Sequence, residues 1–337
     1  MRILLDVMGG DLPPAELVKG GIAAARGYGV EILFAGDPAV IREALALHGE
    51  RDGERFSILE ASEVIGMDEP PVRAVRGKKN SSLVRGLVAL REAKADAFVS
   101  PGNTGAVVAG SIFTLGRIAK IPRPGIAVTL PSVGGEDFLV IDVGANVDCA
   151  PDHLAHFALM GATYARDVLK IERPRIGLLN IGTEKAKGNK LNYHAFEILE
   201  RGPLPFVGNV EGHHLLTDRP VDVVVCDGFV GNVFLKAVEG GAGAVSALLK
   251  KLINRRGAAR LGAFLLRPVF VELRERLSYQ GRGGAPLLGV DGIVVIAHGR
   301  SDAAAIQGAI DVARRAVESC LKERLERGIG GWGGDGS

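Results

Sequence analysis

The sequence predicts an α/β fold, a three-layer sandwich in which helices cover both faces of a mainly parallel sheet. Three observations predict it. Short apolar runs alternate with helix-like stretches along nearly the whole chain. Several runs are continuously apolar, as strands buried on both faces must be. The runs also empty into glycine-rich loops, and ligands of open parallel sheets bind at such junctions.

The first strand is read at residues 3–7, ended by Met8-Gly9-Gly10-Asp11. Pro13 and Pro14 then introduce a helix over 15–25, since proline is preorganised for a first helical turn. Residues 30–35 form a second strand, 40–47 a helix and 56–60 a third strand. A basic, polar stretch follows, with Arg73, Arg76, Lys78, Lys79 and Arg85 around Asn80-Ser81-Ser82. A helix over 83–93 leads to a strand at 97–99. That strand exits through Ser100-Pro101-Gly102-Asn103-Thr104-Gly105-Ala106 into a helix of small residues.

Residues 126–130 and 138–142 are two further strands, and a helix spans 151–169. The strand at 175–180 empties into a loop holding Lys185, Lys187, Gly188 and Asn189. Residues 221–226 are a strand exiting at Asp227-Gly228-Phe229-Val230-Gly231-Asn232, with a helix after it. Residues 241–278 read as mostly helical with a Gly/Pro break. The last strand is 292–297, its exit His298-Gly299-Arg300-Ser301-Asp302, and a final helix runs to about residue 327. In a parallel sheet all these exits are expected to converge at one edge. No repeat of fixed period is evident. The expected organisation is one α/β domain over 1–327, with a helical sub-region at about 241–278 and a disordered tail from 328.

Composition narrows the function. The chain has 337 residues and is 47% hydrophobic but only 5% aromatic, so its core is large and aliphatic. A formal charge of +2 argues against a large nucleic-acid footprint. Cys149, Cys226 and Cys320 form no disulfide framework and no Cys/His zinc pattern, which suits a reducing compartment. The N-terminus reaches Gly9-Gly10 too early for a secretory apolar region. No stretch approaches the roughly 20 apolar residues of a membrane span. A cytoplasmic protein without a metal or other cofactor is expected. Its lysine- and glycine-bearing strand exits suit an anion such as phosphate.

Taken together the exits carry more than any one alone. The order Asp6-Val-Met-Gly-Gly-Asp11, Lys78-Lys79-Asn-Ser-Ser82, Ser100-Pro-Gly-Asn-Thr-Gly-Ala106, Asp142-Val-Gly-Ala-Asn-Val-Asp-Cys149, Gly188-Asn189, Asn209-Val-Glu-Gly212, Cys226-Asp-Gly-Phe-Val-Gly-Asn232, Gly283-Gly-Ala-Pro-Leu-Leu-Gly-Val-Asp291 and His298-Gly-Arg-Ser-Asp302 covers all but the tail. It resembles the bacterial phosphate acyltransferase family of phospholipid synthesis, PlsX. The resemblance implies the fold of the isocitrate and isopropylmalate dehydrogenases and of phosphate acetyltransferases. It implies transfer of a long-chain acyl group from acyl carrier protein to inorganic phosphate. It further implies a homodimer, reversible contact with an anionic membrane, and delivery of the acyl phosphate to a glycerol-3-phosphate acyltransferase. Two positions depart from the family pattern, Pro101 in place of alanine and Arg300 in place of serine, and the loop at 183–187 is more basic than that pattern.

In such a reaction phosphate is its own nucleophile, and the protein must align it with a thioester and stabilise the oxyanion. Lys187 matches the family's loop lysine and is the leading catalytic candidate, while Lys185 lies off the pattern. Asn232 could donate to the substrate carbonyl or cap a helix. His298 could donate to phosphate or act as acid toward the leaving thiol. Substrate-binding candidates are Asp6, Gly9, Gly10, Asp11, Ser100, Gly102, Asn103, Thr104, Gly105, Asn146, Asn189, Asp227 and Gly228. Cys226 closes an apolar strand and reads as a buried small residue, as does Cys149. Arg73, Arg76, Lys78 and Lys79 form a patch suited to an acidic carrier protein. Leu261, Phe264 and Leu265, after Lys250, Lys251, Arg255, Arg256 and Arg260, suit an anionic bilayer surface. A short-chain coenzyme A-dependent acyltransferase and a non-catalytic scaffold are the alternatives.

Overall fold

The computed structural model describes residues 1–330 apart from 135, 256 and 278–282, and at 257, 258, 273–277 and 330 the backbone only. Eleven strands form one sheet in the order β3-β2-β1-β4-β11-β10-β5-β6-β9-β7-β8. They are β1 (Arg2–Asp6), β2 (Glu31–Gly36), β3 (Phe56–Glu60), β4 (Ala97–Ser100), β5 (Gly125–Pro131), β6 (Asp137–Ile141), β7 (Ile176–Asn180), β8 (Phe206–Glu211), β9 (Val223–Val225), β10 (Ala285–Leu288) and β11 (Val294–Ile296).

Alternation along β1 shows the layering. Leu4 enters one cluster with Leu83, Leu87 and Phe98, while Ile3 and Leu5 enter another with Leu17, Ile22 and Ile306. Helices therefore cover both faces, and the strands read as unbroken apolar runs because each residue is buried on one side or the other. On the first face lie α4 (Ser82–Arg91) and α5 (Thr104–Thr114); on the second, α1 (Pro14–Tyr28) and α12 (Ala303–Glu318). In the other half of the sheet α6 (Pro151–Asp167) packs Phe157, Met160 and Tyr164 against Leu139, Ile141 and Val223.

The sheet is parallel in two blocks. Between them the pairs β11/β10, β10/β5 and β5/β6 are antiparallel. Three reversals leave the blocks running in opposite directions. The expected convergence of every strand exit at one edge is thus corrected. Exits of β1, β4 and β11 leave at one end of the sheet, and those of β6, β9 and β7 at the other. Residues from both ends can meet only across the face of the antiparallel ribbon.

Several elements had no counterpart in the sequence reading. They include α3 (Pro71–Gly77), α7 (Lys190–Arg201), α8 (Gly212–Thr217), β8 and β10. The helix expected after Asn232 and the start of the helical region expected from 241 are one element: α9 (Gly228–Asn254) runs unbroken through Gly240, Gly241 and Gly243. Then come α10 (Gly257–Leu265) and α11 (Arg267–Leu277). The final helix is two, α12 and α13 (Leu321–Gly330), separated at Ser319 and Cys320. Of the expected tail, residues 328–330 are helical, and 331–337 lie outside the described residues.

Candidate active site

Each block of the sheet uses the same device, a buried aspartate where a strand ends. At the end of β1, Asp6 is fully buried and accepts from Ser100 Oγ at 2.8 Å and from the Met8 amide at 3.1 Å. Ser100 Oγ in turn accepts from the Gly102 amide. Burial pushes the Asp6 carboxyl up, against hydrogen bonds from Ser82, Ser100 and the Met8 and Gly9 amides. The Asp11 amide donates to the Gly299 carbonyl at 2.7 Å, joining the exits of β1 and β11. Asp6 and Ser100 thus organise the loops around Gly9, Gly10 and Gly102, rather than reaching toward a ligand.

At the end of β6, Asp142 takes five hydrogen bonds. Its Oδ1 accepts from the Ile126, Gly144 and Ala145 amides, and its Oδ2 from the Asn146 amide and Nδ2. Burial raises this carboxyl too, opposed by those donors. Asp142 stood in a motif of the sequence but not among its site candidates; the signal was the parallel between Leu5-Asp6-Val7 and Ile141-Asp142-Val143, two apolar strands each closing on one aspartate. Asn146 Nδ2 also donates to the Pro124 carbonyl, so its amide is committed to the loop.

The first turn of α9 is pressed onto this loop. The Gly228 amide donates to the Asn146 carbonyl. At Gly231 a Cβ would stand 1.9 Å from the Asp142 carbonyl oxygen, so no larger residue fits. Asp227 caps the helix by accepting from the Phe229 and Val230 amides. Asn232 Nδ2 donates to the Val143 carbonyl at 2.8 Å, leaving its second amide hydrogen and Oδ1 for a ligand.

A cavity of about 390 Å³ lies on the face of the ribbon, lined by residues delivered from both ends of the sheet. Ile126 and Val128 contribute apolar surface. Asp11, Thr104 and His298 come from one block, Val143 and Asn232 from the other, and Lys236 and Glu239 from further along α9. His298 Nδ1 accepts from the Arg300 amide at 3.1 Å, which assigns its proton to Nε2 and leaves an N–H donor. Sequence reasoning missed Lys236 and Glu239, although they follow Asn232 by four and seven residues, a spacing that shares a helix face.

Other candidates lie outside this cavity. Asn103 caps α5 through Oδ1 and donates through Nδ2 to the Met67 and Glu69 carbonyls, so it is a loop clamp. Asn189 caps α7. Gly105 lies beside Pro71 of α3. Lys187 is exposed in the β7–α7 loop, where its amide donates to the Glu184 carbonyl and its carbonyl accepts from Asn180 Nδ2. Gly188 takes φ +98° beside Asn180, a backbone state that favours glycine. Lys185 is tied to Glu200 and lies over the Phe196 ring, whereas the Lys187 ammonium has no partner among the described residues. Because β7 neighbours β9, this loop leaves the sheet beside the turn that delivers Asn232.

In the basic patch Lys78 is paired with Glu69, Arg76 lies over the Phe113 ring, Lys79 donates to the Val75 carbonyl, and Arg73 is exposed. Burial drives the Cys226 thiol well above its ordinary value and, with Asp142 and Asp227 nearby, the Cys149 thiol up to about 11; neither suits a nucleophile. Among the described residues one trio has metal-ligand chemistry, Glu211, His213 and His214, and it stands outside the cavity. Leu261, Phe264 and Leu265 of α10 are each about two-thirds exposed or more. No helix among the described residues is long and apolar enough to cross a membrane.

Comparison with known proteins agrees with this architecture. A family model described as fatty acid synthesis protein matches residues 1–324. The chain is 47% identical over 327 residues to a phosphate acyltransferase of Desulfitobacterium hafniense, covering 97% of each. It is 47% identical over 332 residues to one of Geobacillus thermodenitrificans, covering 97% of this chain and 99% of the relative. Among solved structures, a phosphotransacetylase from Streptococcus pyogenes superposes with TM-score 0.64 at 16% identity, over 94% of both chains. A 4-hydroxythreonine-4-phosphate dehydrogenase from Klebsiella pneumoniae gives 0.53 at 13% identity, over 94% of this chain and 99% of that one. At those identities the likeness is one of fold.

Proposed function

The chain belongs to the phosphate acyltransferase family, and we propose that it moves a long-chain acyl group from acyl carrier protein to inorganic phosphate. The observation that carries this reading is the meeting of Asn232 and His298 in one cavity, although they leave opposite ends of the sheet. A phosphate oxygen attacks the thioester carbonyl carbon. The C–O bond forms, the carbonyl becomes an oxyanion, and the C–S bond then breaks to give acyl phosphate and the carrier's thiolate, which takes a proton from solvent. The free hydrogen of Asn232 Nδ2 and the His298 Nε2–H are donors for the developing negative charge. Lys236 in the cavity and Lys187 in the adjoining loop offset the charge of phosphate.

Arg73 and Arg76 lie on α3, which packs against α5 beside Thr104, and so offer positive charge at the rim for an acidic carrier protein. Exposed Leu261, Phe264 and Leu265, near Lys250, Lys251 and Arg260, support a peripheral membrane site. The bare apolar residues Val245, Leu248 and Leu252 of α9 support a homodimer. These features support an enzyme that works in the cytoplasm at the membrane surface and hands acyl phosphate to a glycerol-3-phosphate acyltransferase.

The test is direct. Purified protein is supplied with hexadecanoyl-acyl carrier protein and phosphate, and acyl phosphate is trapped with hydroxylamine. Phosphate-dependent product is expected; none with any acyl donor would overturn the reading.

A further inference from the structure

A second cavity lies on the other flank of α9 from the reaction site. It is a groove of about 980 Å³, lined by Leu130, Pro131, Val133, Leu216, Phe234 and Val238, among others. Among the described residues its lining holds no lysine or arginine, and its polar members are Ser132, His213, Glu239 and Glu272, whereas Lys236 lines the reaction cavity. The two cavities adjoin. Glu239 lines both, and β5 contributes Thr129 to one and Leu130 to the other. From Gly240 onward α9 is mostly exposed.

We infer that this groove holds the hydrocarbon chain of the acyl group while its thioester lies in the reaction cavity. The inference rests on the acyl-transfer reading and extends it to the part of the substrate that does not react. An uncharged chain suits a mostly apolar lining whose carboxylates are Glu239 and Glu272, which phosphate would not. Glu239, shared by the two linings, marks where the chain crosses from the carbonyl carbon to the groove. Small residues on α9 keep the groove wide: Ala237, Gly241 and Ala242 line it, and a Cβ built on Gly241 meets nothing within 4 Å. Val245, Leu248 and Leu252, bare beyond the groove on the same helix, offer a second copy a separate apolar face.

Filling the groove tests this. Ala242→Trp and, separately, Gly241→Phe are compared with wild type on hexadecanoyl- and hexanoyl-acyl carrier protein. Each two methylenes displaced from an apolar site cost roughly tenfold in binding. The ratio of hexadecanoyl to hexanoyl kcat/KM is therefore expected to fall at least that far in whichever variant retains the wild-type circular dichroism spectrum. An equal loss on both donors, or no loss, would overturn the groove assignment while leaving acyl transfer intact. A shift in sedimentation with an unchanged chain-length ratio assigns the groove to a second copy and overturns the proposal as well. A wild type that acylates phosphate from neither donor removes the functional reading and this inference with it.

Discussion

Asn232 Nδ2 donates to the Val143 carbonyl at 2.8 Å, which ties the first turn of α9 to the loop after β6. The bond orients the amide and directs its other hydrogen at the cavity. Asn232→Ala removes an oxyanion donor and is expected to lower kcat roughly 100-fold, as loss of one such donor does elsewhere. The phosphate KM should change far less. Stability should fall by about 1 kcal/mol, because the Val143 carbonyl loses its donor. Steady-state kinetics beside urea unfolding checks both; unchanged kcat in the folded variant removes Asn232 from the chemistry.

Gly231 carries a structural load. With the Asp142 carbonyl oxygen 1.9 Å from where a Cβ would stand, Gly231→Ala must push α9 off the β6 loop. A loss of about 3 kcal/mol is expected, the upper range for forced overpacking. Activity should fall too, since Asn232 moves with the turn. A denaturant midpoint equal to wild type contradicts this packing.

The two loop lysines should separate cleanly. Lys187→Ala should cost roughly 100-fold in turnover, if its charge meets the transition state, yet change stability by no more than about 0.5 kcal/mol. Lys185 is held by exposed Glu200, so Lys185→Ala should cost about 0.5 kcal/mol and leave most turnover. Equal turnover for the two variants removes Lys187 from the chemistry.

Acid should loosen one specific clip. Asp222 accepts from the Arg175 amide at 2.7 Å and pairs with the Arg175 and Arg219 side chains, joining the starts of β7 and β9. Burial alone would raise its carboxyl, but the hydrogen bonds and charge of Arg175, with Arg219, hold it below its ordinary 3.8. A carboxyl depressed in the fold adds stability above that ordinary value, and the contribution is lost as pH falls through the lower folded value. Because Arg175 is half-exposed, Asp222→Asn should cost only about 1–2 kcal/mol at pH 7. That difference should shrink steadily below about pH 4. Urea unfolding across pH 2.5–7 checks the sign, and a gap that widens in acid would contradict it.

The apolar tip of α10 should control vesicle binding. Phe264 and Leu265 are about 70% exposed, so Phe264→Asp with Leu265→Asp should reduce co-sedimentation with anionic vesicles at low salt. Unchanged association of the folded double variant rules this tip out as the contact.

Leu4, Phe98 and Val224 show why the fold was legible: continuous apolar strands can be buried only inside a layered α/β sheet, so composition and order sufficed. Asp11, Thr104, Asn232 and His298 were legible as site candidates because strand exits are marked by glycine, aspartate and asparagine. The chain order could not reveal that the two blocks run oppositely, since strand direction depends on pairings between distant segments such as Leu287 with Ile126. Nor could it show that Asn103 and Asn146 spend their amides on neighbouring carbonyls, because those partners lie 22 to 36 residues away. Lys236 and Glu239 entered the site for the same reason, since a helix face faces a cavity only once the helix is docked. The sequence by itself determined which strands exist and which residue types stand at their ends. The tertiary structure decided which of those ends meet, because that depends on the odd number of antiparallel pairings at the centre of the sheet.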